Sequence, residues 1–455
     1  MKRLWLVLLS LAVIAAFSTQ AIAVDVKFSG EYYAGGLYLD KTTFKKGTAT
    51  DGPSTAFYFQ RLRLKTDFIV SPGLSLTTRA DIMERAWGAA RSATGTALDS
   101  LSAGTRAENE NVAFDLAYVT YISPIGMFTA GYQIDGAWGT VFGDNSIPLG
   151  KVGYMIKAGE FYAGIQSGKH NDGERNRTAI NPANAVDADE SFVTAFALYA
   201  WKDGQAGVLN KYIRNAGNRN LGIPGSDAGF TTSIDVVIPY LKAKIGPVAL
   251  QAEVYYLFGQ MMKWEGTPPL GNQSDTRLDQ LAAWIDATAD FGMFYVGGSL
   301  AYVSGDDPGT GQVEGSNLNG VGLTGGRDWS PCLMMFNYDL NYWAGNQQGY
   351  NGAVNSSPMM NAWFGQLRGG VKPTDKIDIM ASISYATADK KPAAAWLYND
   401  YGYEVDLTGT YKITSNLSYT LGGAYLFTGK YYKGVSDANE INNNFMVINK
   451  LTLTF

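Results

Sequence analysis

From about residue 24 onward, apolar and polar side chains alternate with a period of two, in runs of 10–13 residues. Successive strand side chains point to opposite faces, so such a run presents one greasy face and one wet face. In NLSYTLGGAYLF, Leu417, Tyr419, Leu421, Gly423, Tyr425 and Phe427 share one side, with Ser418, Thr420, Gly422 and Ala424 on the other. PVALQAEVYYLF sets Val248, Leu250, Ala252, Val254, Tyr256 and Phe258 against Gln251 and Glu253. YGYEVDLTGTYKI and KIDIMASISY repeat the pattern. These runs are about twice the usual strand length of a soluble domain.

The connections between runs are of two kinds. Eight short ones contain Pro, Gly, Asn or Asp, at residues 71–73, 123–126, 158–160, 202–204, 245–247, 290–292, 372–375 and 414–416. Between them lie long Gly/Asn/Asp/Thr-rich segments, for example around residues 40–54, 88–110, 169–189, 214–229 and 304–330. Eight short turns, with both chain ends on their side, predict nine hairpins and 18 strands, with 16 as the alternative. The pattern is weakest at 151–168 and 190–213, and 330–362 reads as either loop or an added hairpin.

A soluble sandwich also alternates, but it has shorter strands and comparable loops at both ends. Long strands with this asymmetry of connections predict an all-β fold, a transmembrane antiparallel β-barrel. Closure is what lets strands cross hydrocarbon with every backbone group paired, and alternating segments of about ten residues are its signature. Tyr58, Tyr118, Tyr256, Tyr403 and Trp363 fall near the ends of the greasy runs, where interfacial aromatics belong. Downstream of the first two dozen residues, no apolar run reaches the ~18–20 residues of a membrane helix. Charged residues are 17% of the chain, and aromatics 13%, which excludes a disordered polyelectrolyte.

The start of the chain predicts export. Lys2 and Arg3 precede the apolar stretch Leu4–Phe17, and Ala21-Ile22-Ala23 reads as a cleavage site, so residues 1–23 are expected to be a removed signal peptide and 24–455 a single barrel. Losing those two bases makes the formal charge more negative than the −5 of the whole chain, which argues against nucleic acid as a partner. One Cys excludes a disulfide framework or a cysteine-based zinc site within this chain, and one His excludes multi-His metal sites. No metal or cofactor site is expected.

The chain ends in FMVINKLTLTF, with Phe455, Leu453, Leu451 and Val447 on one face. This resembles the terminal strand of Gram-negative outer-membrane proteins, although Asn449 occupies a position expected to be apolar. With the leader and the alternating strands, the whole mature chain resembles the outer-membrane porins. In general character it is similar to the large Tyr- and Gly-rich porins of metal-respiring bacteria. The resemblance implies insertion into outer-membrane lipid by the barrel-assembly machinery, with Phe455, Leu453 and Leu451 as the assembly signal, and a homotrimer.

If one face meets lipid, the other is lumen, and the charges gather there. In AFYFQRLRLKTDFIV, Arg61, Arg63, Lys65 and Asp67 fall opposite Leu62, Leu64, Phe68 and Val70. In LSLTTRADI, Ser75, Thr77, Arg79 and Asp81 fall opposite Leu74, Leu76, Ala80 and Ile82. Asp115, Asp235, Glu253, Asp286, Asp378, Glu404, Asp406, Arg368 and Lys372 join them. A dry core does not accommodate so many ionised groups, whereas a water-filled barrel of 16–18 strands does. Arg61, Arg63, Lys65 and Arg79 form a candidate pore-lining basic ladder, with Asp67 and Asp81 as its acids. The porin resemblance further implies that the third long loop, about 135–150, folds inward and brings Asp135 and Asp144 opposite the ladder. Opposed charges there would set up a transverse field. The other reading of the ladder is that its arginines pair with neighbouring acids such as Asp81.

Several motifs fail on context. Gly320–Gly325 fits GxGxxG without a strand–helix unit around it. Asp306 and Asp307 in GDDPGTG read as a Pro-Gly turn, with a Ca²⁺ loop as the weaker alternative. Trp329, Trp343 and Trp396 read as loop packing or, alternatively, a sugar-stacking slide. His170 and Cys332 fall in expected loops with no catalytic partner, which argues against a barrel hydrolase. The functional expectation is a channel for passive diffusion of small hydrophilic solutes and ions, or a substrate-selective channel. The rival is a barrel scaffold around multihaem cytochrome partners. The chain has no CxxCH, so any haem would belong to another polypeptide.

Overall fold

The computed structural model describes residues 24–47, 52–88, 112–172, 187–219, 229–265, 274–316, 322–355 and 358–455. The expected leader, most of the 88–110 and 169–189 loops, and Gly320 of the GxGxxG pattern lie outside them.

The chain forms one antiparallel sheet of 18 strands that closes on itself. The first nine are β1 (Asp25–Leu39), β2 (Thr55–Ser71), β3 (Leu74–Ala86), β4 (Val112–Ser123), β5 (Gly126–Asp135), β6 (Ile147–Ala158), β7 (Phe161–Asn171), β8 (Glu190–Trp201) and β9 (Gly204–Asn215). The rest are β10 (Gly229–Ile245), β11 (Val248–Glu265), β12 (Thr276–Asp290), β13 (Phe294–Val303), β14 (Ala362–Thr374), β15 (Ile377–Ala388), β16 (Asp400–Lys412), β17 (Leu417–Thr428) and β18 (Asn444–Thr454). Each strand pairs with its sequence neighbours, and β1 pairs with both β2 and β18, for example Tyr32 with Leu62 and with Leu453. The Phe455 carbonyl and amide exchange hydrogen bonds with Gly30 (2.8 and 3.0 Å), which seals the seam at the last residue. No sheet edge is left over.

Seven of the eight short turns fall where the sequence places them, and the eighth slides two residues, since β14 continues through Lys372–Thr374. The segments 151–168 and 190–213 are regular strands. The described residues of 330–361 add no hairpin to the barrel: they carry a seven-residue helix, α1 (Tyr338–Ala344), capped by Asn337 Oδ1 on the Leu340 amide (2.8 Å).

Exposure is inverted relative to a soluble protein. Leu300, Leu367, Leu407 and Leu421 are 51–68% exposed on the outer face, and Phe427 and Tyr403 flank them at 49% and 50%. The alternate positions Glu404, Asp406, Ala424 and Leu426 are buried inside. An apolar surface ringing the whole molecule far exceeds what a soluble monomer exposes; hydrocarbon is the solvent it matches.

One expected outward residue turns in. A register shift between β3 and β4 lets Arg79 pair with Leu116 and Ala80 with Phe114, leaving Asp115 as the extra residue. The bulge flips parity: Phe114 (72%), Val119 (42%) and Tyr121 (48%) face outward, so Tyr118 points to the lumen and is not part of the aromatic belt. His170 is another correction. It is the penultimate residue of β7 instead of lying in a loop, stacks on Phe192 (5.0 Å between ring centroids) and contacts Glu190 at 2.9 Å.

Candidate functional site: a charged opening between the barrel wall and two inward loops

The ladder is built by three adjacent strands. Inward positions on β2, β3 and β4 recur every second residue, so charges on neighbouring strands stand side by side. Arg63 donates from both arms to Asp81 (2.7 Å each). Arg79 makes a forked contact with Asp115, its Nε at 3.0 Å from each oxygen. Arg61 lies between Glu31 (3.5 Å) and Glu84 (3.6 Å) and over the Tyr33 ring (4.9 Å). Lys65 pairs with Asp67 (3.0 Å), which also accepts from Thr77 (2.6 Å). The arginines are thus held by carboxylates of the same wall. A forked guanidinium–carboxylate pair fixes both side chains more rigidly than a lysine would.

The third long loop, 136–146, follows β5 and crosses to distant strands. Trp138 Nε1 donates to the Ile238 carbonyl of β10 (3.0 Å). The Thr140 amide and hydroxyl both donate to Glu253 Oε2 of β11, the amide at 3.0 Å. Gly139 (φ +68) is required here, since a Cβ would stand 2.7 Å from Glu253 Oε1 and from the Tyr240 ring. The seventh long loop, 304–361, meets this one by backbone hydrogen bonds: Gly326 N to Phe142 O (2.5 Å) and Asp328 N to Asp144 O (3.0 Å). Phe142, Trp284 and Trp329 pack around the joint. Other described parts of the seventh loop pack on the β12–β18 and β1–β2 side, with Trp343 stacked on Phe59 at 4.7 Å.

The two loop acids do not meet the ladder. Asp135 is held on the β5–β9 stretch of the wall by Lys151 (3.1 Å) and Lys211 (2.7 Å), because at the end of β5 its side chain falls among the inward positions of β6 and β9. Asp144 turns back to accept the Trp138 amide (2.7 Å). Burial pushes its carboxyl up to about 6, with the Asp328 charge adding to the rise and the Trp138 hydrogen bond opposing it. What faces the arginines is instead Asn145, Ser146, Arg327, Asp328, Ser330 and Asp339.

Between that wall and the two loops is an opening of about 520 Å³ lined by Arg61, Arg63, Arg79, Asp81, Glu84 and Asp115 on the strand side. Lys65 and Asp67 lie outside it, toward the short turns. Four guanidiniums, counting Arg327 over the Tyr338 ring (5.2 Å), share the opening with five carboxylates. A second opening of about 320 Å³ lies on the far side of the third loop, with Asp135, Lys151, Lys211, Gln166 and Trp138 among its lining. Every ladder carboxylate already faces a cation, so the ladder is not a metal site. The sequence reading missed Arg327, Asp328 and Asp339, which reach the opening from a loop about 250 residues or more downstream of the ladder. Trp329, Trp343 and Trp396 are 2–5% exposed, so they pack loops and do not form a slide. Asp307 accepts the Gly309 amide (2.9 Å) in an ordinary turn.

A closed barrel with a greasy exterior, a charged interior wall and an inward third loop has the architecture of a Gram-negative outer-membrane porin. No family model and no curated protein matches the sequence. Among solved structures, OccK9 (OpdG) of Pseudomonas aeruginosa is similar at 14% identity and TM-score 0.51, over 94% of this chain and 99% of that one. A BenF-like porin from Pseudomonas fluorescens Pf-5 is similar at 10% identity and TM-score 0.50, over 95% and 99%. At these identities the likeness is one of fold.

Proposed function

We propose that the chain is an integral outer-membrane porin, exported by residues 1–23, that passes small hydrophilic solutes and ions passively. The observation that carries this is the opening beside the Arg61/Arg63/Arg79 wall. It is polar, it is framed by the protein's own loops, and it sits inside a barrel whose outside matches lipid. Because guanidiniums and carboxylates are mixed across it, solutes are sorted by fit to a patterned field more than by net charge. Outer-membrane lipid surrounds the barrel, the barrel-assembly machinery reads Phe455, Leu453 and Leu451, and a homotrimer is the expected assembly. Leu453 and Phe455 (38% and 51% exposed) stand on the outer face, where such a signal is accessible.

The cytochrome-scaffold reading is disfavoured by a specific feature: residues 136–146 and much of 304–361 occupy lumen that a haem protein would need. The test is planar-bilayer recording of the purified barrel. Discrete ohmic steps, with a reversal potential in a salt gradient that responds to ladder substitutions, are expected. A folded barrel that inserts without conducting would refute the proposal.

A further inference from the structure

The seventh loop is fastened to the wall at a cluster that the channel reading leaves unused. Cys332 of the loop and Glu404 and Asp406 of β16 each offer a ligand atom, and these atoms lie within 4.8 Å of one another. All three residues are buried, at 3%, 0% and 4% exposed. Glu404 and Asp406 are two residues apart on one strand, so both carboxylates point the same way. Among the described residues, neither has an ammonium or guanidinium partner.

The surroundings orient the cluster without neutralising it. The Met334 and Met335 amides donate to the two Glu404 oxygens (2.7 and 2.6 Å). Ser382 Oγ donates to Asp406 Oδ2 (3.2 Å), while Asp406 Oδ1 is buried and meets no donor. Gln366 Nε2, held by the Pro331 carbonyl (2.7 Å) and Ser384 Oγ (3.1 Å), approaches Cys332 Sγ at 3.9 Å. An orphaned carboxylate oxygen beside a second carboxylate and a sulfur can take a cation in place of a shared proton, because unpaired buried charge is costly. Hydrogen bonds from peptide and side-chain groups are how proteins aim ligating carboxylates.

We propose that Cys332, Glu404 and Asp406 bind one divalent cation of borderline softness, the class that accepts thiolate and carboxylate together. As the metal binds, the Cys332 thiol proton and the proton shared by the Glu404–Asp406 pair both leave to solvent. Because the sulfur comes from the loop and both carboxylates from the wall, the ion staples the seventh loop to β16 and fixes one side of the opening. This deepens the porin reading, since the loop it fastens carries Arg327, Asp328 and Asp339.

The probe is cadmium ion, titrated into the folded full-length barrel after chelation, with absorbance and metal analysis as readouts. The expected result is one cadmium per chain with a thiolate-to-metal charge-transfer band. Cys332→Ser should abolish the band, and Asp406→Asn should weaken binding roughly tenfold or more. Barrel integrity is checked by heat-modifiable gel migration, and Cys332→Ser, the conservative change, serves if Asp406→Asn does not fold. Folded wild type that takes up no cadmium, or cadmium uptake unchanged in Cys332→Ser, would overturn the proposal; the carboxylate pair would then be sharing a proton. Bilayer conductance of the same samples separates the two readings: a barrel that conducts but binds no cadmium removes the staple and leaves the porin.

Discussion

Arg63 offers the sharpest test of the opening. It is held by Asp81 through two 2.7 Å contacts, so the wall there is nearly neutral, and Arg63→Glu replaces a closed pair with two adjacent carboxylates. For an ion passing about 6 Å away in water, one unit charge is worth ~0.7 kcal/mol. In about 0.1 M salt, screening over a ~10 Å Debye length leaves roughly half of that. The substitution changes the local charge by two units, so a cation gains and an anion loses about 0.8 kcal/mol each. The difference of about 1.6 kcal/mol corresponds to a roughly tenfold shift in the cation-to-anion permeability ratio. Arg63→Gln, a change of one unit, should shift the ratio roughly fourfold by the same arithmetic. The assay is the reversal potential across a bilayer in a potassium chloride gradient. If both variants fold and both stay within about twofold of wild type, permeating ions do not pass this wall.

Leu407, 58% exposed at the middle of β16, should cost about 2–4 kcal/mol when changed to Arg, read by denaturant titration of the barrel in lipid vesicles; a neutral outcome would mean that this face does not meet hydrocarbon. Asp144 titrates near pH 6 in the folded protein against an ordinary 3.8, so lowering the pH from 7 to 5 adds a proton to the third loop and should move selectivity toward anions. The sign for stability follows from the same shift: a raised carboxyl disfavours the fold fully above about pH 6, and this is relieved as pH falls toward 4. Asp144→Asn should flatten both pH dependences, and unchanged profiles in that variant would exclude Asp144 as the titrating group. Gly326→Val places a Cβ that even in alanine would lie 2.2 Å from the Asp144 carbonyl oxygen; the joint between the two inward loops should open, giving larger and noisier single-channel steps, and an unaltered current would show that the joint does not bound the path.

The barrel was legible because its constraints are local and repeated. A strand between lipid and water must alternate, and a short turn needs Pro, Gly, Asn or Asp, so KIDIMASISY and the Ser71-Pro72-Gly73 turn announce themselves. The inward order of Arg61, Arg63, Lys65, Arg79 and Asp81 follows from that alternation alone. What resisted reading was whatever breaks or escapes the period. The extra residue at Asp115 reverses Tyr118 with no Gly or Pro to mark it, and only the pairing with β3 reveals it. The partners of the ladder resisted for a different reason: a polar loop reads alike whether it is bathed by solvent or folded inward. The porin resemblance sets Asp135 opposite the arginines, yet two lysines on β6 and β9 hold it, and the facing groups come from Arg327, Asp328 and Asp339. The separation follows from the energetics. Lipid penalises every misplaced outward residue by a few kcal/mol, so the exterior must be written plainly in the sequence. Water inside the barrel tolerates many side chains, so the interior is defined by contacts between residues far apart in the chain, such as Thr140 with Glu253 and Met334 with Glu404. Wall and opening should therefore respond differently to mutation: single outward substitutions should cost the fold, while single lumen substitutions should leave the barrel standing and alter what passes through it.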